Sequence, residues 1–263
     1  MPCQLLSPSL SEAESDTRRF YDRWIGGSGL LSILGRLIFN LSGVVYSGPF
    51  IRAARLTPDH SILEIGCGIG TILTATQRRL CSTSMYLGVD LSFQMVAQGH
   101  PRALENGDRK RVSLLVASGL SLPVDDSLFD VVLLSHVIKY LTDEEFSQVL
   151  WEAKRVLKPG GRIVLWEFHP VWTPSVTSLI LRCCKAQKLR HPIELREAMK
   201  AAGFSDLTAF RIVTPWLPWS NVAFTGCLNE LHRKSVVQTV SVLGAFQSHS
   251  PVPPMLRSRS SGL

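Results

Sequence analysis

The chain has 263 residues, of which 45% are hydrophobic and 19% charged, and its formal net charge is +7. That length supports one α/β domain with a full core plus extensions. The Lys and Arg residues are dispersed outside "DRKR" at 108–111 and a basic C-terminal end, which argues for a solvated surface and against a DNA partner, and the six cysteines contain no Cys-x-x-Cys pair, so no disulfide framework or metal site is readable.

Residues 1–16 are rich in Ser, Pro and Glu and read as a disordered tail. They lack the basic start and long apolar run of a signal peptide, and with the scattered cysteines they point to a cytoplasmic protein. Residues 17–57 read as a helical cap. Within it "LLSILGRLIFNLSGVVY", at 30–46, is 17 residues long with one charge, short for a membrane span. Ser32, Arg36, Asn40 and Gly43 recur at helical spacing, so an amphipathic helix is expected, one that either covers the core or offers its wide apolar side to lipid or an apolar substrate.

Over residues 58–234 apolar strand-like runs alternate with helical patterns. The strand runs are "SILEIG", "MYLGVD", "VSLLVA", "FDVVLLS", "GRIVLWEF", "LTAFRIV" and "NVAFTGCL"; the helices are centred on "TILTATQRRL", "SFQMVAQGHPRALENG", "DEEFSQVLWEAKRVL" and "PIELREAMKAAG". Alternation of this kind predicts an α/β fold with a doubly wound, seven-stranded, mostly parallel sheet. The linker "TPWLPWS" is too short for a crossover helix, so the last strand is expected to pair antiparallel. Residues 235–263 read as a low-complexity tail.

The chemistry starts at "ILEIGCGIG", 62–70, directly behind the first strand. Gly66 and Gly68 allow a tight turn and close approach of a ligand, and Gly70 allows close helix packing. A dinucleotide fingerprint would need glycine at Thr71 or Leu73, so NAD and FAD are disfavoured. Asp90 ends the second strand 20 positions after Gly70, where a carboxylate accepts bonds from both hydroxyls of a ribose.

Through Glu64, the three glycines, Asp90, "SLPVDDSLFDVVLLSHV" and "RVLKPGGRIVLWEF", residues 50–213 resemble the class I S-adenosylmethionine-dependent methyltransferases. The resemblance implies the Rossmann-like methyltransferase fold and S-adenosyl-L-methionine as cofactor. It implies that Glu64 orients the loop and the methionine amino group, although a strand-end acid can also cap a helix. Gly66, Cys67 and Gly68 would line the methionine and ribose, with Cys67 a packing residue rather than a nucleophile. Asp90 would hold the ribose and Leu91 would lie beside the adenine, while Met95 fits either adenine or core. The family carries an Asp after the third strand for the adenine amino group; here Ser118 stands in that place, with Gly119 beside it. "RRFYDRW" resembles an entry segment in which Tyr21 closes over the methionine carboxylate.

Ser135 and His136 follow the fourth strand, where the family places the transferred methyl group. His136 is therefore a pocket wall or a base, with Glu167 and His169 as further candidate bases at the end of the fifth strand. The C-terminal motif resembles quinone-ring C-methyltransferases and their sterol and small-molecule relatives. An apolar acceptor also suits the 30–46 helix, the "HPVWTP" loop, and Trp216 and Trp219 in the linker. The expected protein is thus a methyltransferase acting on a small, apolar or lipid-like acceptor. An RNA or protein methyltransferase and a non-catalytic cofactor-binding protein are the alternatives.

Overall fold

The strand-like runs assemble into one sheet in a computed structural model, which describes residues 10–104, 112–168, 186–213 and 220–228. The strands are β1 (Ile62–Ile65), β2 (Tyr86–Asp90), β3 (Val112–Val116), β4 (Phe129–Ser135), β5 (Leu157–Phe168), β6 (Phe204–Val213) and β7 (Ser220–Leu228), in the order β3-β2-β1-β4-β5-β7-β6. Pairs from β3 through β5 are parallel. β7 inserts antiparallel between β5 and β6, as the short linker requires. Chain order reverses between β1 and β4, so the loops leaving those two strands flank the crevice where α/β sheets bind ligands.

Alternate side chains on a strand face opposite sides, and the core divides accordingly. Leu63, Ile65, Val132 and Leu134 join Phe146, Val149, Leu150 and Ala153 of α5 (Asp143–Val156) in one layer. Ile62, Val131, Leu133, Val164 and Trp166 join Leu73 of α3 (Thr71–Leu80) and Tyr46 and Phe50 of α2 (Leu30–Ala53) in the other. The remaining helices are α4 (Phe93–Leu104) and α6 (Pro192–Ala201).

Two expectations about the N-terminal region change. The first helix, α1 (Glu12–Gly26), begins inside the stretch whose composition suggested a disordered tail. Its start is a capping box in which the Ser11 hydroxyl accepts from the Glu14 N–H and the Glu14 carboxylate accepts from the Ser11 N–H. The second helix runs through Pro49 to Ala53, well beyond residue 46, and its amphipathicity is inverted. Ser32 is buried, and the Arg36 guanidinium donates to the carbonyls of Ile25 and Gly27, at 2.8 and 2.9 Å, where α1 ends with carbonyls that have no helical partner. With the polar stripe turned inward, Leu30, Ile33, Leu34, Leu37 and Leu41 stand 80, 51, 49, 61 and 61% exposed.

Packing is tight where the sheet meets the loop after β1. A Cβ on Gly88 of β2 would lie 2.7 Å from Cys67 Sγ and 2.8 Å from Leu114 Cδ2. Gly88→Ala is therefore expected to destabilise the domain by about 1–3 kcal/mol, read as a lowered Tm in thermal unfolding.

Candidate functional site

Three glycines in the left-handed region turn the chain after β1: Gly66 (φ +73°), Gly68 (φ +55°) and Gly70 (φ +69°). At Gly66 the requirement is also steric, since a Cβ there would come within 2.7 Å of Val137 on the loop after β4. The two loops of the crevice thus touch through a residue with no side chain. The turn is tied to β2 by the N–H groups of Gly66 and Cys67, which both donate to the Val89 carbonyl, and by the Gly68 N–H, which donates to Asp90 Oδ2 at 2.8 Å. Asp90 Oδ1 accepts the Ser92 N–H at 2.9 Å. Burial raises the Asp90 pKa, and these two amide donors oppose the shift. Each oxygen keeps acceptor capacity for a ribose hydroxyl.

Glu64 is buried in β1, and its Oε2 has no hydrogen-bond partner among the described residues. Burial first, then the neighbouring Asp90, holds its pKa well above the usual carboxylate range. A buried acceptor left unpaired is costly, and an ammonium group is the donor this carboxylate lacks. That is the observation by which the residues fit S-adenosylmethionine: Glu64 for the amino group, Asp90 for the ribose, the glycine loop between them.

The Cys67 side chain turns into the core against Gly88, which leaves only its backbone to the site; burial and the two carboxylates push its thiol pKa up, so it is no nucleophile. Met95 is core, packed with Ile25 and Ile69. Leu91 follows Asp90, half-buried. Ser118 is buried beyond β3; its hydroxyl accepts the Leu120 N–H and donates to Glu14 of α1. Gly119 lies against Ile65, whose Cγ2 is 2.6 Å from where a Cβ would be.

Ser135 is buried at the end of β4. His136, directly after it, adopts φ +56°, a strained value for a non-glycine residue of the kind that clusters at functional sites. Its N–H donates to the Trp166 carbonyl at 2.8 Å, and its ring lies with Nδ1 3.5 Å from Glu167 Oε1, beside the rings of Tyr46 and Trp166. Burial lowers the His136 pKa, while Glu167 opposes the shift, so the ring is neutral near pH 7. The buried Lys139 locks this arrangement: its N–H donates to Glu167 Oε2 at 3.1 Å, its ammonium lies 3.3 Å from Glu167 Oε1, and the same ammonium donates to the His136 carbonyl. Arg190, also buried, holds the short turn carrying Lys139 through the carbonyls of Ile138 and Leu141, both at 2.8 Å.

α1 lies along this edge. Tyr21 Oη is 2.5 Å from Tyr140 Oη, and Asp22 Oδ1 accepts the Ser92 hydroxyl at 2.6 Å and the Gln94 N–H at 3.2 Å. Glu14, Tyr21 and Asp22 thereby engage the segments after β3, β4 and β2. His169, Trp216 and Trp219 lie outside the described residues. Sequence reasoning missed Glu14, Tyr46 and Lys139. The Ser11-x-x-Glu14 spacing was a readable helix start, whereas nothing local marks Tyr46 or Lys139 as neighbours of His136. Among the described residues, no group of three or more His, Cys, Asp or Glu could hold a metal ion.

A family model described as a methyltransferase domain matches residues 62–161. The ubiquinone/menaquinone biosynthesis C-methyltransferase of Laribacter hongkongensis is 30% identical over 148 residues, 56% of this chain and 59% of that protein. Its counterpart from Cupriavidus taiwanensis is 32% identical over 124 residues, 47% of this chain and 49% of that one. The chain thus spans about half the length of the curated relatives it matches. Among solved structures, the geranyl diphosphate C-methyltransferase of Streptomyces coelicolor A3(2) shares the fold with a TM-score of 0.65 at 16% identity, over 82% of this chain and 98% of that one.

Because Glu64 carries a raised pKa in the free protein and must be ionised to pair with an ammonium, cofactor binding is expected to expel a proton. Affinity for S-adenosylmethionine should then rise with pH up to the raised pKa. Calorimetry in buffers of different ionisation enthalpy measures the proton, and Glu64→Gln should abolish its release and weaken binding about tenfold or more. The matched family model, the sheet order and the Asp90-anchored glycine loop agree: residues 62–161 match a methyltransferase domain, and the chain has the Rossmann-like fold of the S-adenosylmethionine-dependent methyltransferases it resembles.

Proposed function

We propose that the chain transfers a methyl group from S-adenosylmethionine to a small, apolar or lipid-like acceptor that gives up a proton from carbon or oxygen. The observation that carries this reading is the His136 ring beside Glu167, on the loop that touches Gly66 and next to the aromatic ring of Tyr46. The names of a similar protein and of a structural neighbour, methyltransferases of quinone biosynthesis and of geranyl diphosphate, support an acceptor with an apolar body.

When bound, the cofactor supplies a methyl group on a positively charged sulfur. The chain's task is to align an acceptor and keep water out, because charge disappears as the methyl moves. Glu64, Asp90 and the glycine loop hold the donor. His136 takes the acceptor's proton, and the Glu167 carboxylate, 3.5 Å from Nδ1, stabilises the imidazolium that forms. Lys139 keeps Glu167 and the His136 backbone in place. Tyr46 and Trp166, whose ring centroids are 4.9 Å apart, form an aromatic wall beside His136.

The same helix that brings Tyr46 to His136 carries the five exposed apolar residues at its other end. No helix of the described residues is long and apolar enough to cross a membrane. A face of Leu30, Ile33, Leu34, Leu37 and Leu41 on a chain of net charge +7 suits an anionic bilayer surface, from which a lipid-like acceptor could be drawn toward Tyr46.

Incubation with labelled methyl donor and separated lipid, small-molecule, RNA and protein pools tests the acceptor class. Label in the organic extract is the expected outcome; label in RNA or protein, or in none, overturns the proposal. With the labelled acceptor in hand, kcat/KM should fall as pH drops below the lowered pKa of His136, which lies under the ordinary imidazole value of about 6.5. His136→Ala should reduce turnover about 100-fold and remove that acid limb, with donor affinity preserved. The bilayer contact is checked by sedimentation with vesicles containing phosphatidylglycerol. Wild type should pellet with them, and Leu37→Glu with Leu41→Glu should stay in solution while still binding the donor; equal pelleting of both proteins would eliminate the contact.

A further inference from the structure

Ser118 leaves an apparent gap. The resemblance calls for a carboxylate after β3 to accept the adenine amino group, and a serine hydroxyl is a weaker acceptor. The Ser118 hydroxyl is moreover committed as a donor to Glu14 and as an acceptor from the Leu120 N–H. The segment is nevertheless in register with the ribose acid, since the Ala117 N–H donates to the Asp90 carbonyl at 3.1 Å.

The missing charge is present, brought by another element. Glu14 Oε1 accepts from Ser118, 104 positions away in sequence, and both side chains are buried. Its second oxygen accepts the Ser11 N–H at 3.1 Å, so each oxygen of the carboxylate is held by one donor, and the Ser11 hydroxyl in turn donates to Glu145 Oε1 of α5 at 2.5 Å. An ionised carboxylate offers about four acceptor sites, of which these bonds use two. Ser118 stands beyond β3, in the segment whose Ala117 N–H bonds the Asp90 carbonyl, and the Tyr21 and Asp22 contacts tie α1 to the segments after β4 and β2.

We infer that Glu14, delivered by α1 and oriented by Ser118, is the carboxylate that accepts the exocyclic amine of the cofactor's adenine. The N-terminal helix is then part of the cofactor site, and recognition of the base depends on α1 being docked. An amine at the purine 6-position donates hydrogen bonds to this carboxylate; a 6-oxo group cannot, and its oxygen would face an acceptor.

The test compares binding of S-adenosylhomocysteine with that of its 6-oxo analogue, S-inosylhomocysteine, by calorimetry. Wild type should prefer the adenine compound tenfold or more. Glu14→Gln retains a residue that serves the capping box, so the helix start is preserved, and its carboxamide can donate to the 6-oxo group. That variant should lose most of the preference. Ser11→Ala weakens the cap without touching the carboxylate and should keep the preference, which separates base recognition from helix stability. Glu14→Ala should also lose it, and Ser118→Asp placed in the Glu14→Ala chain should restore it. Retention of wild-type discrimination by Glu14→Gln and Glu14→Ala overturns the assignment, as would an equal loss in Ser11→Ala. Failure of wild type to bind either compound would instead overturn the cofactor assignment on which the inference rests.

Discussion

The bond from the Gly68 N–H to the Asp90 carboxylate is the constraint around which the site is arranged. It joins the turn after β1 to the end of β2, and it holds a turn that only glycines can make while Gly66 lies flat against Val137. The loop after β4 can then approach closely, and it carries His136. Loosening that turn would displace both halves of the crevice together, because donor and acceptor sides share the Gly66–Val137 contact.

Charge is buried at this edge in an ordered way. Glu167 is surrounded by Lys139 and His136, and Arg190 and Lys139 place cations on the carbonyls of the turn between β4 and α5. Burying charge is expensive unless each group finds partners. The exception is Glu64, whose second oxygen has none among the described residues. Glu64 is thus a buried acceptor whose cost a cationic ligand group, such as the amino group of the proposed methyl donor, would relieve.

The N-terminal helices connect this edge to the surroundings. α1 bridges three loops of the crevice through Glu14, Tyr21 and Asp22, while α2 pairs with it through Arg36, lays its C-terminal half on the sheet and leaves its N-terminal apolar face outward. A pattern of polar and apolar positions establishes that a helix is amphipathic; it does not establish which face points in. Here the free carbonyls at the end of α1 decide, since they draw the polar face of α2 inward.

The sheet, its single antiparallel reversal, the glycine loop and Asp90 were legible because each depends on residues close together in sequence: strand alternation, a short linker, glycines at alternate positions, an acid at a strand end. Glu64 and His136 were legible as positions by the same logic, and Cys67 as a packing residue. What local patterns could not reveal was partnership. The Glu14 carboxylate meets Ser118 across 104 positions, Tyr46 meets His136 across two helices and four strands, and Lys139 reaches Glu167 only because β4 and β5 are neighbours. By itself the sequence determined the fold, which follows from short-range backbone geometry, and, through its resemblance to the class I methyltransferases, the kind of cofactor. The tertiary structure decided which distant side chains meet around the crevice and which face of α2 meets the solvent, because those depend on elements far apart in the chain competing for the same buried donors and acceptors.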